Sequence, residues 1–230
     1  VCPAYASGQP LSPKEVVLAI SRSLAVAGSN GQEATSPFTG QAVEATAIWA
    51  CTTCGACVAE CPVLIDHIDT IVDMRCHLVD EAQIDAQLQG ALDNIGRYGN
   101  SFGQSERMRA KWTQSLNPKV KDARKEVVDY LWFVGDYASY HPTARSATLA
   151  LTKILNNLGV DYGILGPEEV SDGDSLRLAG ESGLFEMMAE KNARAFEKYE
   201  FNEILTSDPH AYNAFKNEYP RLDISYPVRH

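Results

Sequence analysis

Cysteine is missing from the last two-thirds of this chain: of six cysteines in 230 residues, none follows Cys76. That crowding excludes the disulfide framework of a small secreted scaffold. No apolar run approaches the ~20 residues a transmembrane helix needs, and no signal-peptide pattern opens the chain. Basic residues are short as well: 20 Lys and Arg stand against 30 Asp and Glu, for a formal net charge of −10. Phosphate backbones are repelled by such a surface, so nucleic acid is excluded and small molecules or proteins remain as partners. An initiating methionine is lacking too, since Val1 opens the sequence, and the expectation is a piece of a longer protein. What is present, 45% hydrophobic residues, suffices for one large or two small domains.

Five of the six cysteines are placed with purpose. The run CTTCGACVAECP sets Cys51, Cys54, Cys57 and Cys61 in C-x2-C-x2-C-x3-C-P spacing, the bacterial ferredoxin pattern for a [4Fe–4S] cluster. Three thiolates two residues apart wrap one cube, and in two-cluster proteins the fourth, before proline, serves the other cube. Cys61 is therefore expected to ligate a second cluster. Cys2-Pro3 reads as the tail of an earlier run, which makes Cys2 the fourth ligand of the cluster held by Cys51, Cys54 and Cys57. Structural zinc is the competing reading, but it favours two separated C-x2-C knuckles. Cys76, within the helical-looking IDTIVDMRCHLVDEA, reads as a packed thiol rather than a ligand. An oxygen-sensitive thiolate site points to a reducing compartment.

The pattern divides near Asn117-Pro118. Before it, Ser12-Pro13 predicts a helix over 14–27 with Val16, Val17, Ala19, Ile20 and Leu24 on its apolar face, then a loop over 28–40. A short helix carries Ile48 and Trp49 to the cysteine run, and another spans 65–79. Residues 83–125 read as mostly helical with a break over 98–103. From Val127 the period changes: VVDYLWFVGD reads as a buried strand, ARSATLALTKILNNLG as a helix ended by Gly159, VDYGILG as a strand, 184–199 as a helix and NEILTS as a third strand. That alternation predicts an open, largely parallel sheet, whose ligands bind beyond the carboxyl ends of its strands. The overall class is α+β, with an all-α domain over 1–117 and an α/β domain over 118–230.

The segments CPAYASGQPLSPKEVV, GNSFGQSERMRAKW, YLWFVGDYASY, LNNLGVDYGILGPEE and ILTSDPHAYNAFKNEYP resemble successive pieces of iron–sulfur oxidoreductases related to heterodisulfide reductase and to the iron–sulfur subunits of glycolate and lactate oxidation. The resemblance implies a two-cluster ferredoxin-like domain followed by a CCG domain, incomplete here, with a second copy expected downstream of YPVRH. It departs where the CCG domain should carry cysteines: Asp136, Ser171-Asp172-Gly173, and Asp208 with Ala211 stand there instead. A thiolate-ligated cluster cannot form in that domain, which weighs against a heterodisulfide reductase-like catalytic subunit. Asp136, Asp172 and Asp208, with His210 nearby, could hold a hard cation. Aspartates that cap helices and face water are the ordinary alternative and the one preferred, and a bound cation or a strongly raised carboxyl pKa would reverse the preference. His141 and His230 join no constellation.

The resulting expectation is an electron-transfer subunit, not a catalytic site, in a multi-component oxidoreductase. Its [4Fe–4S] clusters, two in the parent protein, would relay electrons from a flavoprotein to a quinone, a disulfide or a further cluster, with Ala56 and Val58 shielding sulfur. It would be cytoplasmic, reaching the cytoplasmic face of a membrane only through partners or missing segments. The remaining alternative is a metal-stapled domain that docks other subunits.

Overall fold

The computed structural model describes residues 2–29, 39 and 42–230, and the loop expected over 28–40 falls mostly outside them. The chain forms two compact units. One comprises 1–84 with 178–181, the other 85–177 with 182–230.

The first unit is helical: α1 (Pro3–Ala6), α2 (Pro13–Ser29), α3 (Ala45–Trp49), α4 (Ala56–Ala59) and α5 (Ile68–Asp80). Along α5, Ile71, Val72, Met74, Arg75 and Leu78 are buried, the spacing of one helical face. Ile71, Met74 and Leu78 pack with Ala4, Leu11, Val16, Val43 and Ile48, and Cys2 and Cys51 pack against this cluster. The stripe expected on α2 is shorter than its sequence implies. Val16 is buried, Ala19 and Ile20 lie against the core, but Leu24 is 54% exposed. The core is small, with eight buried residues at its centre among those described.

The second unit opens with α6 (Ala86–Tyr98), whose N-cap Asp85 accepts from the Gln87 and Leu88 N–H groups and whose C-cap Gly99 is left-handed. The helix expected beyond the break is reduced to two 3-10 turns, Glu106–Met108 and Lys111–Ser115. There the buried Asn100 side chain donates to the Tyr98 and Gln104 carbonyls and accepts from the Gln104 N–H, taking over bonds a helix would make.

The sheet has five strands in the order β1-β3-β2-β4-β5: β1 (Lys121–Asp122), β2 (Val128–Phe133), β3 (Tyr162–Ile164), β4 (Phe201–Thr206) and β5 (Val228–Arg229). Every pairing is parallel. The three expected strands and the helices between them, α8 (Pro142–Asn157) and α10 (Ser182–Phe196), are present. The two-residue edge strands were not anticipated, because two residues carry no periodicity. Central β2 buries Leu131, Trp132 and Phe133, as a strand covered on both faces must. Trp132 meets Trp112 and Tyr162 edge-on at centroid separations of 5.7 Å, and Phe133 meets Phe215 at 4.8 Å. Short helices α7 (Asp136–Tyr140), α9 (Asp174–Ala179) and α11 (Pro209–Asn213) follow the strand ends or their loops.

Candidate metal centre

The cysteine run folds as a wrap and a single helical turn. Thr53 (φ 52°) and Gly55 (φ 69°) are left-handed, so the chain reverses between Cys51 and Cys57 in too few residues for a regular turn. Gly55 then starts α4, its carbonyl accepting from the Val58 and Ala59 N–H groups. Cys2, Cys51, Cys54 and Cys57 line one cavity, together with His67 and apolar residues that include Leu11 and Ile71. Cys61 is not in that lining. It lies at the start of an exposed loop in which Leu64 is 79% exposed.

The sulfurs have backbone donors. The Thr53 N–H reaches Cys51 Sγ at 3.4 Å and the Ile65 N–H reaches Cys61 Sγ at 3.3 Å. His67 Nε2 lies 3.6 Å from Cys57 Sγ. The Ala56 N–H, then the Thr52 side chain, hold the Cys54 thiol below its ordinary value, and the Ile65 N–H does the same for Cys61. Burial pushes Cys57 up, with Cys51 and Cys2 adding like charge. No disulfide joins these cysteines.

Among the described residues, no three His, Cys, Asp or Glu side chains converge so as to hold a metal ion. Four thiols lining one cavity, with backbone N–H groups reaching sulfur, fit the donor set of an iron–sulfur cluster, whose thiolates bind separate irons.

The carboxyl end of the sheet carries a different arrangement. Arg109, 2% exposed, lies 2.8 Å from Asp136 Oδ1 and 2.9 Å from Glu169 Oε1, and donates to the Gly99 carbonyl at 3.0 Å. Glu169 in turn accepts from the Val134 and Gly135 N–H groups at 3.0 and 2.9 Å. Burial alone would lower the Arg109 pKa, but Asp136 and Glu169 outweigh it and hold the guanidinium charged. Burial raises Glu169 despite its partner.

Asp136 also accepts from the Ser101 N–H, and Asp172 accepts from the Asp174 N–H. Both are buried, which corrects the expectation of water-facing aspartates. Asp208 does cap a helix, accepting from the His210 and Ala211 N–H groups at the start of α11. Gly135 (φ 81°) permits its approach, since a Cβ there would stand 3.0 Å from Asp208 Oδ2. Burial first, then the charge of Asp208, pushes the Asp172 carboxyl up to about 7. A cation site would show such a rise, yet its main cause here is desolvation, and Asp136 is already committed to Arg109.

Sequence reasoning missed Arg109, Glu169 and Asp174, the last of which lies 2.8 Å from His210 Nδ1 and raises that imidazole. Arg109 and Glu169 stand within two of the resembling segments, GNSFGQSERMRAKW and LNNLGVDYGILGPEE. A charge that is to be buried carries no periodic signature, so only their place in those segments could have pointed to them.

No protein-family model matches the chain, and no solved structure does. Curated relatives are found, however. The chain is 36% identical over its whole length to 39% of the "Probable iron-sulfur-binding oxidoreductase FadF" of Bacillus subtilis (strain 168). It is 31% identical, again over its whole length, to 36% of the "EtfAB:quinone oxidoreductase" of Syntrophomonas wolfei subsp. wolfei. Three-quarters of it is 28% identical to 41% of a heterodisulfide reductase subunit of Methanosarcina barkeri. The chain thus spans less than half the length of each of these relatives. With its cysteine wrap and parallel sheet, the chain is similar over its whole length to parts of proteins named as iron–sulfur-binding and quinone oxidoreductases, and over three-quarters of it to part of a heterodisulfide reductase subunit.

Proposed function

We propose that this chain is the electron-transfer part of a multi-component oxidoreductase. Cys2, Cys51, Cys54 and Cys57 hold one [4Fe–4S] cluster, and Cys61 serves a second whose other ligands come from outside this sequence. The helical unit acts as a ferredoxin-like domain and the sheet unit as a CCG domain that has lost its cysteines. Bound there, a cluster supplies reversible one-electron chemistry. The residues wrap it, exclude water with Leu11 and Ile71, and direct backbone N–H groups at sulfur, which sets its potential. One observation carries the reading: the four thiols assigned to one cluster line a single cavity, and Cys61 stands outside that lining.

The donor is a flavoprotein and the acceptor a quinone, a disulfide or a further cluster. Relatives named as a quinone oxidoreductase and as a heterodisulfide reductase subunit support these classes. The protein works in the reducing cytoplasm, reaching a membrane face through partners or through segments outside this sequence. Among the described residues no helix is long and apolar enough to cross a membrane.

Iron and acid-labile sulfide, counted after anaerobic reconstitution, test the assignment residue by residue. Cys51→Ser and Cys57→Ser should lose most of the bound iron, while Cys61→Ser and Cys76→Ser should retain the first cluster. Equal loss for Cys61→Ser and Cys57→Ser would overturn the division of ligands.

A further inference from the structure

Arg75, on α5, is 6% exposed, and among the described residues no carboxylate forms an ion pair with it. Its hydrogen bonds go to backbone carbonyls. Nη1 donates to Leu178 at 2.6 Å, and Nη2 donates to Ile48 at 3.1 Å and to Cys51. Nε is buried without a partner, and the Trp49 ring lies 5.3 Å from the guanidinium carbon.

A buried guanidinium is costly unless an opposite charge compensates it. Arg109 in this same chain shows the usual solution, two carboxylates within 3 Å. Carbonyl dipoles and a ring face offset only part of the cost for Arg75. The cysteine cavity is what Arg75 borders: Cys51, whose carbonyl Nη2 grips, lines that cavity with Cys2, Cys54 and Cys57.

We propose that Arg75 is the counter-ion of the cluster held by Cys2, Cys51, Cys54 and Cys57, a positioning residue that fixes the Cys51 turn and raises the cluster's reduction potential. The proposal rests on the ligand assignment above. Reduction adds one electron to the site, with no bond made or broken and no proton moved by Arg75. A fixed buried cation stabilises the more negative form more. Arg75 therefore favours the reduced state.

The test is a dithionite titration, followed by electron paramagnetic resonance, of the reconstituted full chain and its Arg75→Gln and Arg75→Lys variants. Gln retains hydrogen-bonding capacity without charge, and Lys retains charge. The expected result is a more negative midpoint for Arg75→Gln and a near-wild-type midpoint for Arg75→Lys. Equal midpoints in all three proteins would overturn the proposal. So would a shift of the same size in both variants, because geometry rather than charge would then be at work.

Should Arg75→Gln fail to take up iron, uptake by Arg75→Lys supports the counter-ion, and failure of both variants refutes it. Melting temperature supplies a second readout. A counter-ion makes Arg75→Gln cost more in the iron-loaded protein than in the iron-free one, whereas a structural clamp makes the two losses equal. Wild-type protein that binds no iron at all would instead defeat the ligand assignment.

Discussion

Asp172 shows how far a single buried group can tie this protein to pH. Its carboxyl is pushed up to about 7 by burial and by neighbouring Asp208, against an unfolded value of 3.8. A raised carboxyl favours the native state fully below the unfolded value, and that advantage is lost as pH climbs from there through about 7. Asp172→Asn keeps the oxygen that accepts from the Asp174 N–H and removes the charge. The variant should therefore be more stable than wild type at pH 8, by an amount on the order of 1–4 kcal/mol, with the advantage shrinking steadily toward pH 4. Urea denaturation at several pH values checks it, and a difference independent of pH would show that Asp172 is paired rather than stranded. His210 works beside it with its own sign. Asp174 raises the imidazole above its usual value, so that contact contributes below pH about 6.5 and fades as pH rises further. At this scale the cysteines stand out in sequence by their spacing, and Cys2, Cys51, Cys54 and Cys57 line one cavity. Asp136 and Asp172 were misjudged because an aspartate reads the same in sequence whether it caps a helix in water, closes a buried ion pair as Asp136 does, or is buried with a backbone N–H donor as Asp172 is.

Elements were legible where they are long and periodic. Between Val128 and Thr206, β2 buries a continuous apolar run, β4 buries alternate residues and α10 buries residues three to four apart, and that signal survives without any tertiary knowledge. It failed beyond the break expected over 98–103, where short 3-10 turns at 106–108 and 111–115 replace a helix, and at the edge strands β1 and β5. The cysteine wrap is an element of its own, set by two left-handed residues rather than by periodicity. Gly55 has φ 69°, a conformation that costs an L-residue roughly 1–2 kcal/mol. A Cβ there meets nothing within 4 Å, so Gly55→Ala isolates the backbone cost. The iron-free protein should lose about 1 kcal/mol of stability and the reconstituted protein should release iron to a chelator faster. Unchanged chelation kinetics would mean that the turn is not what holds the metal site in shape.

For the whole molecule, the two units divide the labour differently. The sheet unit is held by large aromatic contacts around Trp132, Phe133 and Phe215 and by the Arg109 ion-pair network. The helical unit has a small core with Cys2 and Cys51 packed at its margin, and if the proposed cluster binds there, its binding would add to the stability of that unit. The composition was enough to read an acidic protein with a short-range cysteine site and an α+β class. It could not reveal that Arg109 is buried between Asp136 and Glu169, since that pairing exists only in three dimensions. The central claim is that this chain carries electrons on a cluster ligated by Cys2, Cys51, Cys54 and Cys57. Electron paramagnetic resonance of anaerobically reconstituted, dithionite-reduced protein tests it most directly. The account predicts a paramagnetic signal of a reduced [4Fe–4S] cluster that is present in wild type and absent in Cys51→Ser; a diamagnetic protein holding zinc, or a signal untouched by losing Cys51, would contradict it.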